Sequence, residues 1–126
     1  MVVKKILLVD DELDIRESVK MLLETMNYEV EITDDGNNAI TMLKNGTFDL
    51  VLLDILMPKI SGIKTLEKIR ADSKIKNQKV VFLTVVSPTK NGEGIIEKLG
   101  PLDYIDKPID NNSFKEKIEK ILGSGE

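Results

Sequence analysis

Short apolar runs alternate along the chain with longer segments in which apolar side chains recur at helical spacing. Apolar runs of roughly 4–8 residues predict strands, and recurrence at i, i+3, i+4 and i+7 predicts amphipathic helices. The predicted strands are 4–10, 28–33, 49–54, 79–84 and 102–106, and the predicted helices are 12–26, 36–45, 61–71, 89–99 and 111–122. Because strands and helices alternate strictly, we expect a parallel sheet with helices on both faces.

The strand sequences also indicate which strands lie in the middle of the sheet. Residues 6–9, 50–53 and 80–83 are continuous apolar runs, which is typical of strands covered on both faces. The second strand alternates apolar residues with glutamates, and the fifth is short and mixed, so both are predicted edges. The doubly wound, flavodoxin-like order 2-1-3-4-5 satisfies these constraints and gives an α/β three-layer sandwich of five strands and five helices.

Composition fits a single domain. The 126 residues are 41% hydrophobic, enough for a substantial core. We expect the domain to span 1–122 and a flexible tail to span 123–126. The formal net charge of −4, from 18 basic and 22 acidic residues, argues against direct nucleic-acid binding. No apolar run approaches the ~20 residues that cross a bilayer, and aspartates close the first run, so a cytoplasmic protein is expected.

The chain contains no cysteine and no histidine. Disulfides, thiolate metal sites and nucleophiles activated by histidine are therefore excluded. Any reaction must depend on carboxylates, lysine, hydroxyl groups and the main chain.

Polar residues stand where the apolar runs stop. Asp10 and Asp11 follow the first strand, Asp54 closes the third, Thr84 the fourth, and Lys107 follows the fifth. The carboxyl ends of parallel strands share one edge of the sheet, and ligands bind where the strand order reverses, here between strands 1 and 3. Singly, each residue has an ordinary structural explanation as a cap or turn residue. Five of them at consecutive strand ends favour a functional site.

Three carboxylates in one crevice repel each other, by about 4 kcal/mol per pair at ~4 Å and an effective dielectric near 20. A hard divalent cation with oxygen ligands would neutralise them, and Mg²⁺ is the natural choice. Lys107 would add a second positive charge. A carboxylate, Mg²⁺, a lysine and a hydroxyl group together suit phosphoryl transfer, with the carboxylate as nucleophile.

Four segments carry a family resemblance. They are 6–12, 53–58 with Ser61 and Gly62 behind it, 82–84, and 103–108. In this order and at these separations, the sequence resembles the response-regulator receiver domains of two-component signalling over essentially its whole length.

The resemblance implies an acceptor and a metal site. Asp54 would receive a phosphoryl group from a sensor histidine kinase or a phosphotransfer protein. Asp11 would bind Mg²⁺ directly and Asp10 through water, with Asp54 and the main-chain carbonyl of Leu56 completing the site. The protein would promote its own phosphorylation and dephosphorylation, but it would act in signalling rather than as an enzyme.

The resemblance also implies a switch. Lys107 would pair with the phosphoryl oxygens, and the peptide bond before Pro108 would be cis. Thr84 would donate its hydroxyl to the phosphoryl group, and Tyr104 would swing inward behind it. The face formed by the fourth helix, fifth strand and fifth helix would then change and be read by a downstream effector, with the protein a monomer or a weak dimer.

Some positions depart from the commonest family pattern. Val85 replaces a small residue, and Gly92 and Gly94 weaken the predicted fourth helix by about 1 kcal/mol each. In the family, the residues two past the acceptor and two past the threonine influence phosphoryl lifetime. They are Leu56 and Val86 here, and neither can hydrogen-bond an attacking water, so we expect a long-lived aspartyl phosphate.

Three other interpretations remain open from sequence. A receiver-like module could bind partners without phosphorylation. A phosphohydrolase with an aspartate nucleophile would, in the haloacid-dehalogenase type, carry Asp-x-Asp after strand 1, where this chain has Asp10, Asp11 and Glu12. A flavodoxin-like cofactor binder would need a Ser/Thr/Gly-rich phosphate loop at the same place.

Overall fold

A five-stranded parallel sheet forms the centre of the molecule in a computed structural model that describes residues 3–85 and 97–123. The strands are β1 (Lys5–Val9), β2 (Glu29–Thr33), β3 (Leu50–Asp54), β4 (Val80–Thr84) and β5 (Asp103–Asp106). The helices of eight or more residues within the described ranges are α1 (Leu13–Thr25), α2 (Gly36–Asn45), α3 (Gly62–Ala71) and the C-terminal helix (Asn111–Leu122).

The predicted architecture is confirmed. The strand order is β2-β1-β3-β4-β5, and every described strand and helix ends within one residue of its predicted limit. Only residues 97–99 of the helix predicted over 89–99 are described, and they are helical. The predicted tail lies outside the described residues except for Gly123, which caps the C-terminal helix at φ 79°. Within the described residues, the helices lack the length and apolar character needed to span a bilayer.

The sheet separates two apolar layers. On one face, α2 and α3 pack on alternate residues of the central strands, including Leu7, Val51 and Phe82. On the other face, α1 and the C-terminal helix cover the intervening residues, including Leu8 and Leu52. Because β1, β3 and β4 are buried on both sides, their continuous apolar sequences are explained.

The register of the strands brings their carboxyl ends to one edge. Val9 at the end of β1 pairs with Thr33 and Leu53, and Asp54 at the end of β3 pairs with Leu83. Thr84 pairs with Asp106 in β5. The residues that follow these strand ends therefore meet along a single rim.

Arg70 joins the segment that enters β5 to the rest of the frame. Its guanidinium group donates hydrogen bonds to the carbonyl oxygens of Lys76 and Gln78, at 2.8 and 2.7 Å, and to those of Leu99 and Gly100. Burial lowers the pKa of Arg70 from its usual value. The loop before β4 and the segment before β5 are thus fixed by one side chain.

Replacement of Leu52 by alanine tests the two-sided burial of β3. Leu52 is fully buried, so we expect a loss of about 2–5 kcal/mol in the free energy of unfolding. Urea denaturation measures it. Met21→Ala is the control, because the Met21 side chain is 66% exposed and its loss should change stability by less than about 0.5 kcal/mol. Similar losses in both variants would contradict this packing.

Candidate functional site

Two buried aspartates lie side by side at the ends of β1 and β3. Asp10 is 0% exposed and Asp54 is 2% exposed. Carboxylate oxygens of Asp10, Asp11, Glu12 and Asp54 lie within 4.8 Å of one another, and those of Asp11 and Glu12 are on the exposed side. The pairing of β1 with β3 produces this arrangement, because it aligns the two strand ends.

Lys107 places its ammonium group inside this cluster. Its Nζ lies 2.6 Å from Asp10 Oδ2, 3.2 Å from Glu12 Oε1 and 3.4 Å from Asp54 Oδ1, and the side chain is only 5% exposed. The Lys107 main chain is fixed by a 2.8 Å hydrogen bond from its N–H to the carbonyl oxygen of Thr84. The peptide bond to Pro108 is cis, as predicted.

Asp10 is held by main-chain and side-chain contacts. Its Oδ1 accepts a hydrogen bond from the Glu12 N–H at 2.9 Å, and its carbonyl oxygen accepts one from Arg16 at 2.8 Å. Its own N–H donates to Thr33 at 3.1 Å. Asp10 Oδ2 is buried and accepts no directed hydrogen bond from the described residues, although Lys107 Nζ is close. The distance shows a charge contact without hydrogen-bond alignment, so this oxygen keeps capacity for another cationic ligand.

The cluster shifts the protonation of its members. Burial raises the pKa of Asp54 to about 7, and repulsion from Asp10 acts in the same direction. The charge of Lys107 and the Leu56 N–H, which donates to Asp54 Oδ1 at 3.3 Å, oppose the rise. Burial alone would lower the pKa of Lys107, but its close contact with the Asp10 carboxylate and the attraction of Asp54 raise that pKa above its usual value. The ammonium group therefore stays charged while Asp54 is short of compensating charge.

The structure brings the main predicted residues together. Asp10, Asp11, Asp54 and Lys107 form one cluster, and Thr84 is buried at the end of the neighbouring strand β4. The roles expected at three further positions stay predictions. The side chain of Leu56 is 57% exposed, Tyr104 stacks on Phe82 with ring centroids 5.9 Å apart, and Val86 lies outside the described residues.

Two contacts at the site were missed from sequence. Glu12 supplies a third carboxylate to Lys107, and Arg16 holds the main chain of Asp10. From sequence, an acid such as Glu12 at the start of a helix is explained by the favourable helix dipole alone. Its position next to Asp11 was the only sequence signal. Arg16 carried none, because its acceptor is a main-chain atom.

The donor set fits Mg²⁺. Carboxylate oxygens are the ligands that hard divalent cations prefer, and the cluster offers several, including the buried Asp10 Oδ2. A cavity of about 250 Å³ opens beside Asp11, between Asp34 and Pro58. A larger cavity of about 510 Å³ lies at the opposite edge of the sheet and includes none of these acids. Chemistry, rather than cavity size, identifies the site.

A comparison with known protein families matches nearly the whole chain. The model of the response regulator receiver domain matches residues 6–119. The chain belongs to this family. All the clustered residues of the candidate site fall within the matched part of this receiver domain.

Relatives of the receiver domain include free-standing and longer regulators. It is 41% identical to the chemotaxis protein CheY-3 of Vibrio cholerae over 121 residues, covering 94% of this chain and 91% of that protein. It is 38% identical to CheY of Pseudomonas aeruginosa, covering 94% and 95%. It is also 38% identical to the CpxR homolog of Haemophilus influenzae, a transcriptional regulatory protein, but spans only 50% of that length.

Solved structures show the same fold. CheY4 of Vibrio cholerae matches with a TM-score of 0.86 at 30% identity, covering 96% of this chain and 100% of that one. The response regulator TrrA of Thermotoga maritima matches with a TM-score of 0.80 at 34% identity, covering 94% and 99%. TrrA was crystallised in complex with Mg²⁺-BeF.

The raised pKa of Asp54 predicts a pH-dependent cost in the metal-free receiver domain. An acid with a folded-state pKa of about 7 binds more protons when folded than when unfolded, so stability falls as pH rises from about 4 to 7 and then levels off. Asp54→Asn should therefore stabilise the protein in EDTA by at least about 1 kcal/mol at pH 8, and by less at pH 5. Thermal denaturation measures both. Equal effects at the two pH values would contradict the shift.

Proposed function

We propose that the chain is a phosphoryl-accepting signalling switch, with Asp54 as the acceptor and a sensor histidine kinase or phosphotransfer protein as donor. The observation that carries the proposal is the buried Asp54 carboxylate beside Lys107, 3.4 Å away, within a cluster of metal-binding character. A buried cluster of this composition raises the energy of the folded protein when metal-free. Phosphoryl transfer uses these clustered charges, so it accounts for a cluster that makes the metal-free protein less stable.

The reaction is an in-line displacement at phosphorus. A carboxylate oxygen of Asp54 attacks, the bond from phosphorus to the donor atom breaks, and the leaving group departs with the bonding electrons. Asp54 must be ionised to attack, and Lys107 favours that form. Asp10, Asp11, Asp54 and the Leu56 carbonyl would hold Mg²⁺, which supplies charge neutralisation for the phosphoryl oxygens.

Lys107 has a role before and after the reaction. In the unmodified protein its ammonium group is shared by Asp10, Glu12 and Asp54. The phosphoryl oxygens on Asp54 would bring about −1.5 to −2 charge to the same place. Lys107 would then pair with the phosphoryl oxygens. Its ammonium group would need to move only a short distance, because it already contacts Asp54.

Thr84 and Tyr104 would transmit the change. Thr84 follows Leu83, which pairs with Asp54 across β3 and β4, so this buried residue stands beside the acceptor strand end. Its donation to a phosphoryl oxygen would pull the end of β4 inward. Tyr104, stacked on Phe82 of the same strand, would follow and alter the face around β5, which a downstream effector would read.

The alternatives account for less of the site. A module that only binds partners gains nothing from a buried lysine among carboxylates, since such clusters are costly. A haloacid-dehalogenase-type hydrolase would carry Asp-x-Asp after strand 1, whereas this chain has Asp10, Asp11 and Glu12 there. A downstream effector, a monomeric or weakly dimeric state and a cytoplasmic location stay predictions.

Incubation with Mg²⁺ and acetyl phosphate tests the acceptor. We expect intact-mass spectrometry to show the addition of one phosphoryl group to the wild type. No addition should occur when EDTA replaces Mg²⁺ or in the variant Asp54→Asn. Asp49→Asn is the matched control, because Asp49 lies just before β3, at the edge of the sheet opposite Asp54. Its carboxylate accepts a hydrogen bond from the Lys5 N–H. It should be modified like the wild type.

Two results would oppose the proposal. Modification that persists in Asp54→Asn would remove Asp54 from the role. Repeated turnover of acetyl phosphate without a phosphorylated protein would favour a hydrolase.

Substitution of Leu56 tests the expected phosphoryl lifetime. Leu56→Asn adds a group able to hydrogen-bond an attacking water, worth about 1 kcal/mol, so release of phosphate should accelerate about fivefold. Val86→Gln should add to the effect. Leu56→Val, which stays apolar, should release phosphate at the wild-type rate. Unchanged release in Leu56→Asn would show that this position does not limit hydrolysis.

A further inference from the structure

The first residue of α3, Gly62, packs directly on the main chain of Asp54. Its N–H donates to the carbonyl oxygen of Ile55 at 2.8 Å. A Cβ atom placed on Gly62 would come within 3.0 Å of three main-chain atoms, which are the carbonyl carbon and oxygen of Asp54 and the Cα of Ile55. Real Cβ atoms essentially never show such distances. Because the obstacle is main chain, no rotation of a side chain can relieve it.

The reason for glycine here is contact and not backbone conformation. Gly62 is absent from the positive-φ residues, which within the described ranges are Asn27, Gly100 and Gly123. Another residue could adopt its dihedral angles. A residue with a Cβ atom, however, could not approach the main chain of Asp54 so closely.

The first turn of α3 is itself firmly held. Ser61 caps it, accepting a hydrogen bond from the Lys64 N–H at 3.1 Å. Thr65, which is fully buried, donates its hydroxyl to the Ser61 carbonyl oxygen at 2.8 Å. On the far side, Gly36 of α2 approaches Thr65 so closely that a Cβ there would overlap the Thr65 hydroxyl oxygen. The turn is therefore packed between the α2 N-terminus and the acceptor strand end.

We propose that Gly62 is a positioning residue for phosphorylation. By lacking a side chain, it lets the first turn of α3 fix the main chain of Asp54 and Ile55. This sets both the direction of the Asp54 carboxylate and the place of the Leu56 carbonyl, which the proposed function uses as acceptor and metal ligand. The inference rests on that proposed function and adds a residue that touches neither phosphoryl group nor metal.

Gly62→Ala should act mainly on the reaction. Accommodating the new Cβ requires the main chain to move by on the order of 1 Å, and a misplacement of that size can cost about 100-fold in rate. We expect the maximal rate of phosphorylation by acetyl phosphate to fall about 10- to 100-fold. The donor concentration giving half-maximal rate should change little, because Gly62 does not contact the donor. The affinity for BeF₃⁻ with Mg²⁺ should fall with the maximal rate.

Gly36→Ala is the matched control. Both glycines begin a helix and both are buried. The three atoms nearest to a Cβ at Gly36 would all be side-chain atoms, of Thr65 and Ile60. Both variants should lose thermal stability, but Gly36→Ala should lower the maximal phosphorylation rate clearly less than Gly62→Ala. Its clash is with side-chain atoms, which can move, and it reaches Asp54 only through the α3 turn.

A measurement on the metal-free protein gives a readout independent of activity. In EDTA, the ¹H–¹⁵N resonances of Ile55 and Leu56 should shift in Gly62→Ala. In Gly36→Ala the largest shifts should instead lie around Thr65. If Gly62→Ala fails to fold, Ser61→Ala replaces it, because loss of the cap loosens the same turn at a cost of about 1 kcal/mol. It should show a smaller fall in phosphorylation rate.

The outcomes separate this inference from the function on which it rests. Gly62→Ala that folds and reacts within about twofold of the wild type would overturn the positioning role, as would equal loss of rate in both glycine variants. With Ser61→Ala as the replacement, an unchanged rate would overturn it. A wild type that accepts no phosphoryl group would overturn the proposed function and this inference with it. The amide shifts in EDTA would then still show whether Gly62 fixes the acceptor main chain.

Discussion

The site depends on one buried ammonium group surrounded by carboxylates. Lys107 is the only cation that the described residues place in contact with both Asp10 and Asp54. Without it, two ionised acids would face each other in a region of low dielectric, where their repulsion is several-fold stronger than in water. The sheet edge can keep this composition because the fold delivers the lysine from β5 to acids on β1 and β3.

A single positive charge does not complete the balance. One carboxylate oxygen of Asp10 still lacks a directed hydrogen bond within the described residues, and the pKa of Asp54 remains raised. The unmodified protein is therefore strained electrostatically at the place where it is chemically most useful. The uncompensated negative charge lowers the stability of the fold and favours the binding of a cation. Reactive sites commonly lower protein stability in this way.

Much of the fold and part of the site could be predicted from sequence, for physical reasons. Continuous apolar strands identify the sheet centre, and parallel strands must align their carboxyl ends, so Asp10, Asp54 and Lys107 could be placed together. Glu12 could not, because an exposed acid at the start of a helix is explained equally well by the helix dipole. The close approach of Gly62 to Asp54 depends on how the β3–α3 loop closes, which no periodicity encodes.

Side chains that hold main chain left no sequence signature either. Arg70 is an example: its four acceptors are carbonyl oxygens from two separate segments, and carbonyls are present at every residue. The consequence is mechanical. With Leu99 and Gly100 tethered to α3, a displacement that begins at Thr84 meets a fixed point before it reaches β5 along the chain. Such a displacement would either stay within the intervening stretch or reach β5 across the sheet, from one strand to its hydrogen-bonded neighbour.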